Sequence, residues 1–382
     1  MESFIALVGA LYIVYLIYEK AHNKKIRNSF KHVIHVNGTR GKSTVSRLID
    51  AGLREAGYSV FTKTTGTSPR IIHVDGHESE IIRRGKANIK EQLKMMKYAV
   101  AESADILVIE CMAVKPELQL VSQKDMLMAD IGVITNARFD HLEEMGHSLD
   151  SITKALASTM PYGGVLFTAD ERAYPYYKEL GQSTITKVLL ANEKNTDFDG
   201  IDFEENVALA CQVCEHLGVE RQTSIRGMKK YKTDPGSLAI YRFINKNGME
   251  IVFINALAAN DPDSTLKIYE KFDIENKNDF KNKVLLINNR IDRPSRMNQY
   301  IDFTKSLEHS FDQVWITGDM KSIMKKKLIR KDVRTGKIML LEEINTIENL
   351  QSDTLIFGVG NIVGHGKEIV KFFERAGEKH VG

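Results

Sequence analysis

The stretch Asn37-Gly38-Thr39-Arg40-Gly41-Lys42-Ser43-Thr44 constrains this chain more than any other. It follows the apolar run Val33-Ile34-His35-Val36 and precedes Val45-Ser46-Arg47-Leu48-Ile49-Asp50-Ala51, whose apolar spacing is helical. Strand, glycine loop and helix in that order predict a phosphate-binding loop. A polyphosphate needs backbone N–H groups that can approach it closely. Gly38 and Gly41 clear side chains from the approach, and the N-terminus of the following helix adds its positive dipole end. Lys42 is placed to bridge β- and γ-phosphates and the Ser43 hydroxyl to hold a magnesium ion, with Thr39, Arg40 and Thr44 in the same loop. Two residues separate Gly38 from Gly41, a shorter spacing than the usual motif.

The 382 residues leave room for two cores, since domains usually run to about 100–200 residues. Lys plus Arg is 53 and Asp plus Glu is 50, a balance that argues against a nucleic-acid binder with a broad basic face. The charge that matters is therefore local. Cys111, Cys211 and Cys214 are an odd set without a disulfide framework, which fits a reducing compartment. Cys211 and Cys214 form a C-x-x-C inside a helical-looking stretch with no second pair, so both thiols are expected to face a core.

From Ser3 to Tyr18 no residue is charged and most are large and apolar. As a helix this run reaches roughly 24 Å, a little short of a hydrocarbon core of about 30 Å. Lys20, Lys24, Lys25, Arg27 and Lys31 follow it, whereas only Glu2 precedes it. The expectation is a single-pass anchor over residues 1–20 in the cell membrane, with the bulk of the chain in the cytoplasm. A secretory signal would place its basic residues before the apolar run and a small-residue cleavage site after it.

Beyond the loop, several apolar runs end in polar residues. Ser59-Val60-Phe61-Thr62-Lys63 leads into Thr64-Thr65-Gly66-Thr67-Ser68-Pro69, a hydroxyl-rich turn where α/β proteins collect ligands. Residues 71–86 read as an exposed hairpin or loop and residues 87–102 as an amphipathic helix. Ala104 to Ile109 delivers Glu110, an oxygen ligand of the hardness that magnesium wants. Ala129 to Thr135 delivers Asn136, followed by Asp140 and His141. A Pro-Gly turn at Pro235-Gly236 marks a domain boundary. After it, Val284 to Ile287 ends near Arg290, Arg293 and Arg296, whose planar forks suit the carboxylates of an acidic substrate or polymer. Gly358-Val359-Gly360 and Gly364 form a G-x-G-x-x-x-G that lacks the following strand and ribose-binding acid of a dinucleotide site.

The short loop Gly-Thr-x-Gly-Lys-Ser-Thr resembles that of the Mur ligase superfamily, which couples ATP hydrolysis to amide bond formation. Within it the chain is similar to the ligase subunits of bacterial poly-γ-glutamate synthases of the capsule type, from the N-terminal apolar run to Gly358-Val359-Gly360-Asn361. The resemblance implies that Lys42, Glu110 and His141 serve catalysis, with Ser43, Glu110 and His141 at magnesium and Asp140 orienting the histidine. It places Thr65 and Thr67 beside the γ-phosphate, as substrate-binding residues, and Asn206 near the adenine end of ATP. Asn255 to Pro262 resembles the segment with which Mur ligases close a domain over the nucleotide, so Asn255 and Asn260 are expected there. Asn255 stands where an Asp is customary. The lysine that many relatives carbamylate aligns with Leu156, and Lys154 lies two residues early on a helix.

The reading is α/β: a Mur ligase-like P-loop central domain over 30–234, a smaller C-terminal α/β domain over 235–382, ATP in the cleft, and an N-terminal transmembrane helix. The activity implied is an ADP-forming acid–amino-acid ligase that polymerises glutamate with ATP and Mg2+ through an acyl phosphate. Implied partners are glutamate, the growing polyglutamate and small integral-membrane subunits, with no nucleic acid and with a homo-oligomer left open. Two alternatives stand beside it: a folylpolyglutamate synthase-like ligase, and a membrane-tethered P-loop ATPase without ligase activity.

Overall fold

In the computed structural model, which describes residues 2–66, 69–83, 85, 87–191, 196–198, 200–234, 238–259, 261–277, 279–291 and 294–380, the apolar runs become strands of two sheets. The chain divides into two units, Met1–Thr233 and Asp234–Gly382. Pro235 and Gly236, on which the expected boundary rested, lie outside the described residues.

The first unit is built on β1 (His32–Asn37), β2 (Val60–Thr64), β3 (Arg70–Ile72), β4 (Glu78–Glu80), β5 (Ile106–Glu110), β6 (Ile131–Ile134), β7 (Val165–Thr168) and β8 (Lys187–Leu190). Their order is β4-β3-β2-β5-β1-β6-β7-β8. The phosphate-loop strand β1 lies between β5 and β6 and is parallel to both. Helices cover both faces of such a sheet, and the strands accordingly read as continuous apolar runs. All the parallel strands deliver their carboxyl ends to one edge, so Asn37, Thr64, Glu110 and Ile134 end beside one another.

The helix α2 (Lys42–Glu55) presents Val45, Leu48, Ile49 and Leu53 to a core that includes Val207, Cys211 and Cys214 of the helix Glu204–His216. Both thiols of the C-x-x-C are buried there. Residues 71–86 contain the hairpin, the antiparallel pair β3–β4, but it is not wholly exposed: Ile71 and Ile72 are buried because they add to the sheet beyond β2. The expected helix over 87–102 starts later, as α3 (Glu91–Ala101).

The N-terminal run forms part of α1 (Glu2–Arg27), whose large apolar residues from Phe4 to Tyr18 are exposed. Among the described residues no helix is long and apolar enough to cross a membrane. This corrects the expected transmembrane span: the uncharged run is too short, and polar residues continue the helix beyond it. The far end is tied to the first unit, with Asn23 Nδ2 donating to Met126 O at 2.7 Å and Arg27 paired with Asp130 at 2.6 Å.

Just before the loop, His35 is wholly buried on β1 and its Nδ1 lies 2.9 Å from Gln123 Oε1. Burial lowers its pKa to about 4; the Gln123 hydrogen bond opposes that shift and Lys63 adds to it. The unfolded chain binds this proton below its ordinary value of 6.5, whereas the folded chain refuses it down to about 4. Stability therefore falls as pH drops through that window, by on the order of 3 kcal/mol from this residue. Urea unfolding at pH 7.5 and 5 should show a clearly smaller acid loss in His35→Gln than in the parent.

The second unit holds β9 (Ala239–Ile244), β10 (Glu250–Asn255), β11 (Asn282–Asn289), β12 (Gln313–Gly318), β13 (Ile338–Leu340), β14 (Thr354–Gly360) and β15 (Glu378–His380), ordered β13-β12-β11-β14-β10-β9-β15. From β13 to β10 neighbours are parallel; β9 and β15 add antiparallel. Phe253 stacks on Phe373 at 4.1 Å in its core. Gly358 serves this packing, because a Cβ there would lie 2.5 Å from the Phe253 ring.

Candidate active site

The loop between β1 and α2 is held open by backbone geometry that only glycine adopts freely. Gly38 has φ +129° and a Cβ there would lie 2.0 Å from Thr135 Oγ1. Gly41 has φ +78° and a Cβ there would lie 2.8 Å from Asn206 Oδ1. The end of β6 clamps the loop: Thr39 N donates to Asn136 O at 3.0 Å, Arg40 N to Asn136 Oδ1 at 3.1 Å, and Asn136 Nδ2 to Arg40 O at 3.1 Å. Thr39 Oγ1 donates to Asn136 Oδ1 and accepts from Arg138 N. This clamp by Thr135 and Asn136 was not assigned from sequence. Its one signal there was the strand-end position of Asn136.

Lys42 folds back over the loop, its Nζ 2.7 Å from Gly38 O, and Ser43 and Thr44 lie in the first turn of α2. Ser43 Oγ donates to Glu110 Oε2 at 2.8 Å, and the same oxygen accepts from Thr65 N at 2.6 Å. Glu110 is 2 % exposed, so the end of β5 fixes both the loop serine and the turn after β2. Thr67 lies outside the described residues.

Gly38, Thr39, Lys42, Thr65, Asp140 and His141 share the wall of a cavity of about 210 Å³. His141 has φ +47°, a conformation costly for a residue with a Cβ and one that gathers at functional sites. Its Nε2 is 3.9 Å from Asp140 Oδ2, while that oxygen is 3.3 Å from Arg40. Asp140 Oδ1 also accepts from His141 N at 3.1 Å, so Asp140 contacts both His141 and Arg40. Lys154 is exposed and Leu156 is buried in the core, so neither reaches this cavity.

Glycines that a Cβ would jam, N–H groups at a helix start and a lysine over the loop fit a polyphosphate. Ser43 Oγ and Glu110 Oε2 are the hard oxygens magnesium prefers, and they are already within one hydrogen bond of each other. Among the described residues no group of three or more His, Cys, Asp or Glu is gathered for a metal. A magnesium ion here would depend on these two oxygens and on the nucleotide, with His141 on the same cavity wall.

Asn206 lies in the first turn of the helix Glu204–His216, beneath Gly41, and its Nδ2 donates to Asp202 Oδ1 at 2.8 Å. Tyr231 OH reaches the other Asp202 oxygen at 2.8 Å. In the second unit Asn255 is fully buried and its Oδ1 accepts from Leu257 N at 3.3 Å, which braces the turn after β10. Asn260 lies outside the described residues, as does Arg293. Arg290 and Arg296 line one small cavity with Asn288, Asn289 and Asn361, at the carboxyl ends of β11 and β14.

The Mur ligase middle domain family matches residues 36–223, and the family described as the poly-gamma-glutamate synthase CapB C-terminal domain matches residues 240–376. The chain is 34% identical to the capsule biosynthesis protein CapB of Bacillus anthracis, over 99% of this chain and 84% of that protein. It is also 34% identical to the PGA synthase CapB of Bacillus subtilis (strain 168), over 95% of each. Among solved structures, a folylpolyglutamate synthase of Mycobacterium tuberculosis complexed with ADP and AMPPCP superposes with a TM-score of 0.64 at 15% identity, covering 92% of this chain and 93% of that one. That last likeness is one of fold.

Proposed function

The chain belongs to the Mur ligase family and within it to the CapB poly-gamma-glutamate synthases, and from this premise we propose that it polymerises glutamate as an ATP-dependent, ADP-forming amide ligase. A carboxylate is a poor acyl donor because its oxygen will not leave. A chain-end carboxylate oxygen attacks the γ-phosphorus of ATP, the bond to the ADP oxygen breaks, and an acyl phosphate forms. The incoming glutamate amine then attacks the acyl carbon, loses a proton and expels inorganic phosphate.

The protein's share is positioning and charge. Loop N–H groups and Lys42 hold the phosphates. Ser43 and Glu110 would hold magnesium, which neutralises phosphate charge when bound. Thr65 and His141 face the same cavity and bound the space where the carboxylate meets the γ-phosphate. Asn206, beneath Gly41, is oriented by Asp202 toward the nucleotide side of the loop. In the second unit, Arg290 and Arg296 suit an anionic substrate.

One observation carries this reading: a single buried carboxylate oxygen of Glu110 ties the loop serine to the turn after β2. The test is ADP release with and without glutamate and a polyglutamate acyl donor. Release that needs both is expected. Release indifferent to any amino acid would point to a tethered ATPase, and release that needs a reduced pteroate would point to the folate-type ligase.

The exposed apolar residues of α1 and the basic Lys24 and Lys25 support attachment at the cell membrane from the cytoplasmic side, whose anionic leaflet attracts basic residues. Small integral-membrane subunits that receive the product are the partners that suit such a surface.

A further inference from the structure

Lys63, Glu91 and Arg83 form a charged chain that the mechanism above does not use. Lys63 lies on β2 with 0% of its side chain exposed, and its Nζ is 3.1 Å from Glu91 Oε1. Glu91 opens α3 and accepts from Arg83 Nε at 2.7 Å and Arg83 Nη2 at 2.9 Å. Arg83 then lines the cavity that holds Gly38, Lys42, Thr65 and His141.

An ion triad with one fully buried member is a poor device for stability, since desolvation of Lys63 cancels much of the attraction and apolar residues of the same volume would do as well. Burial lowers the Lys63 pKa, and Glu91 and Glu110 work against that shift. Burial also opposes ionisation of Glu91, yet Arg83 and Lys63 outweigh it and hold the carboxylate below its ordinary range. Arg83 stands at the cavity end of this chain, so its guanidinium is the charge of the group that meets the cavity. Glu91 engages the Nε and Nη2 side of the guanidinium. Nη1 has no hydrogen-bond partner among the described residues, which leaves the Nη1 and Nη2 edge for a second planar anion.

A chain-end glutamate brings two carboxylates to this cavity. One must reach the γ-phosphate beside Lys42, and the other must be neutralised nearby while it stays unreacted. Resting on the ligase reading, we propose that Arg83 receives the non-reacting carboxylate of the acyl-donor glutamate and so selects which carboxylate is phosphorylated. Glu91 and Lys63 are positioning residues that aim its free edge.

The test compares two acyl donors, a short γ-glutamate oligomer and the same oligomer ending in γ-aminobutyrate, which keeps the γ-carboxylate and lacks the other. Wild-type kcat/KM should favour the first by about 30-fold, the worth of one charge-assisted pair. In Arg83→Gln the ratio should fall to within about threefold of unity, with ADP affinity unchanged. Arg83→Lys should keep part of the preference. Glu91→Gln, which retains Arg83 but frees it to turn, should also lower the ratio and provides the reading if Arg83→Gln does not fold. Donor-dependent ADP release with an undiminished ratio in these variants, or no preference in the wild type, overturns the assignment alone. ADP release that needs no carboxylate donor overturns the ligase reading and the assignment with it.

Discussion

Lys42→Ala is expected to lower donor-dependent ADP release by about 10²–10³-fold, because a fixed cation aimed at developing phosphoryl charge in a partly closed site contributes that much. The side chain reaches back to Gly38 O at 2.7 Å, so its charge sits over the mouth of the loop proposed to hold the phosphates. Alanine leaves the glycine geometry, the Asn136 clamp and the Ser43–Glu110 bond in place. The melting temperature should therefore stay close to wild type, which separates loss of chemistry from loss of fold. Lys42→Arg should fail nearly as badly, since a longer planar fork cannot lie over a loop with only two residues between its glycines. A coupled assay for ADP decides the matter. Turnover within about threefold of wild type would remove Lys42 from the mechanism.

What could be read from the sequence was what is local along the chain. The strand, the glycines, Lys42 and Ser43 are contiguous, and the physics of anion binding at a helix start needs nothing further. Glu110 was also legible, since an apolar run that ends in a carboxylate puts it at the ligand-binding edge of a parallel sheet. Thr135 and Asn136 became a loop clamp only through pairing of β1 with β6, which sets Asn37 opposite Ile134 across nearly a hundred residues. Arg83 follows a short antiparallel excursion whose register no periodicity specifies. Its meaning comes from Glu91 and the buried Lys63.

The corrections have physical causes of the same kind. An apolar run without a polar face reads as a span, but α1 carries its apolar residues over too short a length and ends in polar contacts to the Asp125–Asp130 segment. The segment over 71–86 reads as an exposed hairpin or loop, yet Ile71 and Ile72 are buried because β3 pairs with β2.

Glu110 separates a metal role from a scaffolding role. Glu110→Gln keeps the shape and one oxygen for Ser43 Oγ and Thr65 N, but it removes the charge. If Glu110 is a magnesium ligand, kcat should fall about 10²-fold and the magnesium concentration for half-maximal rate should rise at least about tenfold, with partial rescue at high magnesium. Glu110→Ala removes the shared acceptor as well. Two donors now satisfied at 2.8 and 2.6 Å lose their partner in a buried site, at a cost of about 1–3 kcal/mol. That variant should melt earlier and should not recover with added magnesium. An unshifted magnesium titration in Glu110→Gln, with activity lost all the same, would assign the carboxylate to holding the loop and move the metal's protein contact to Ser43 alone.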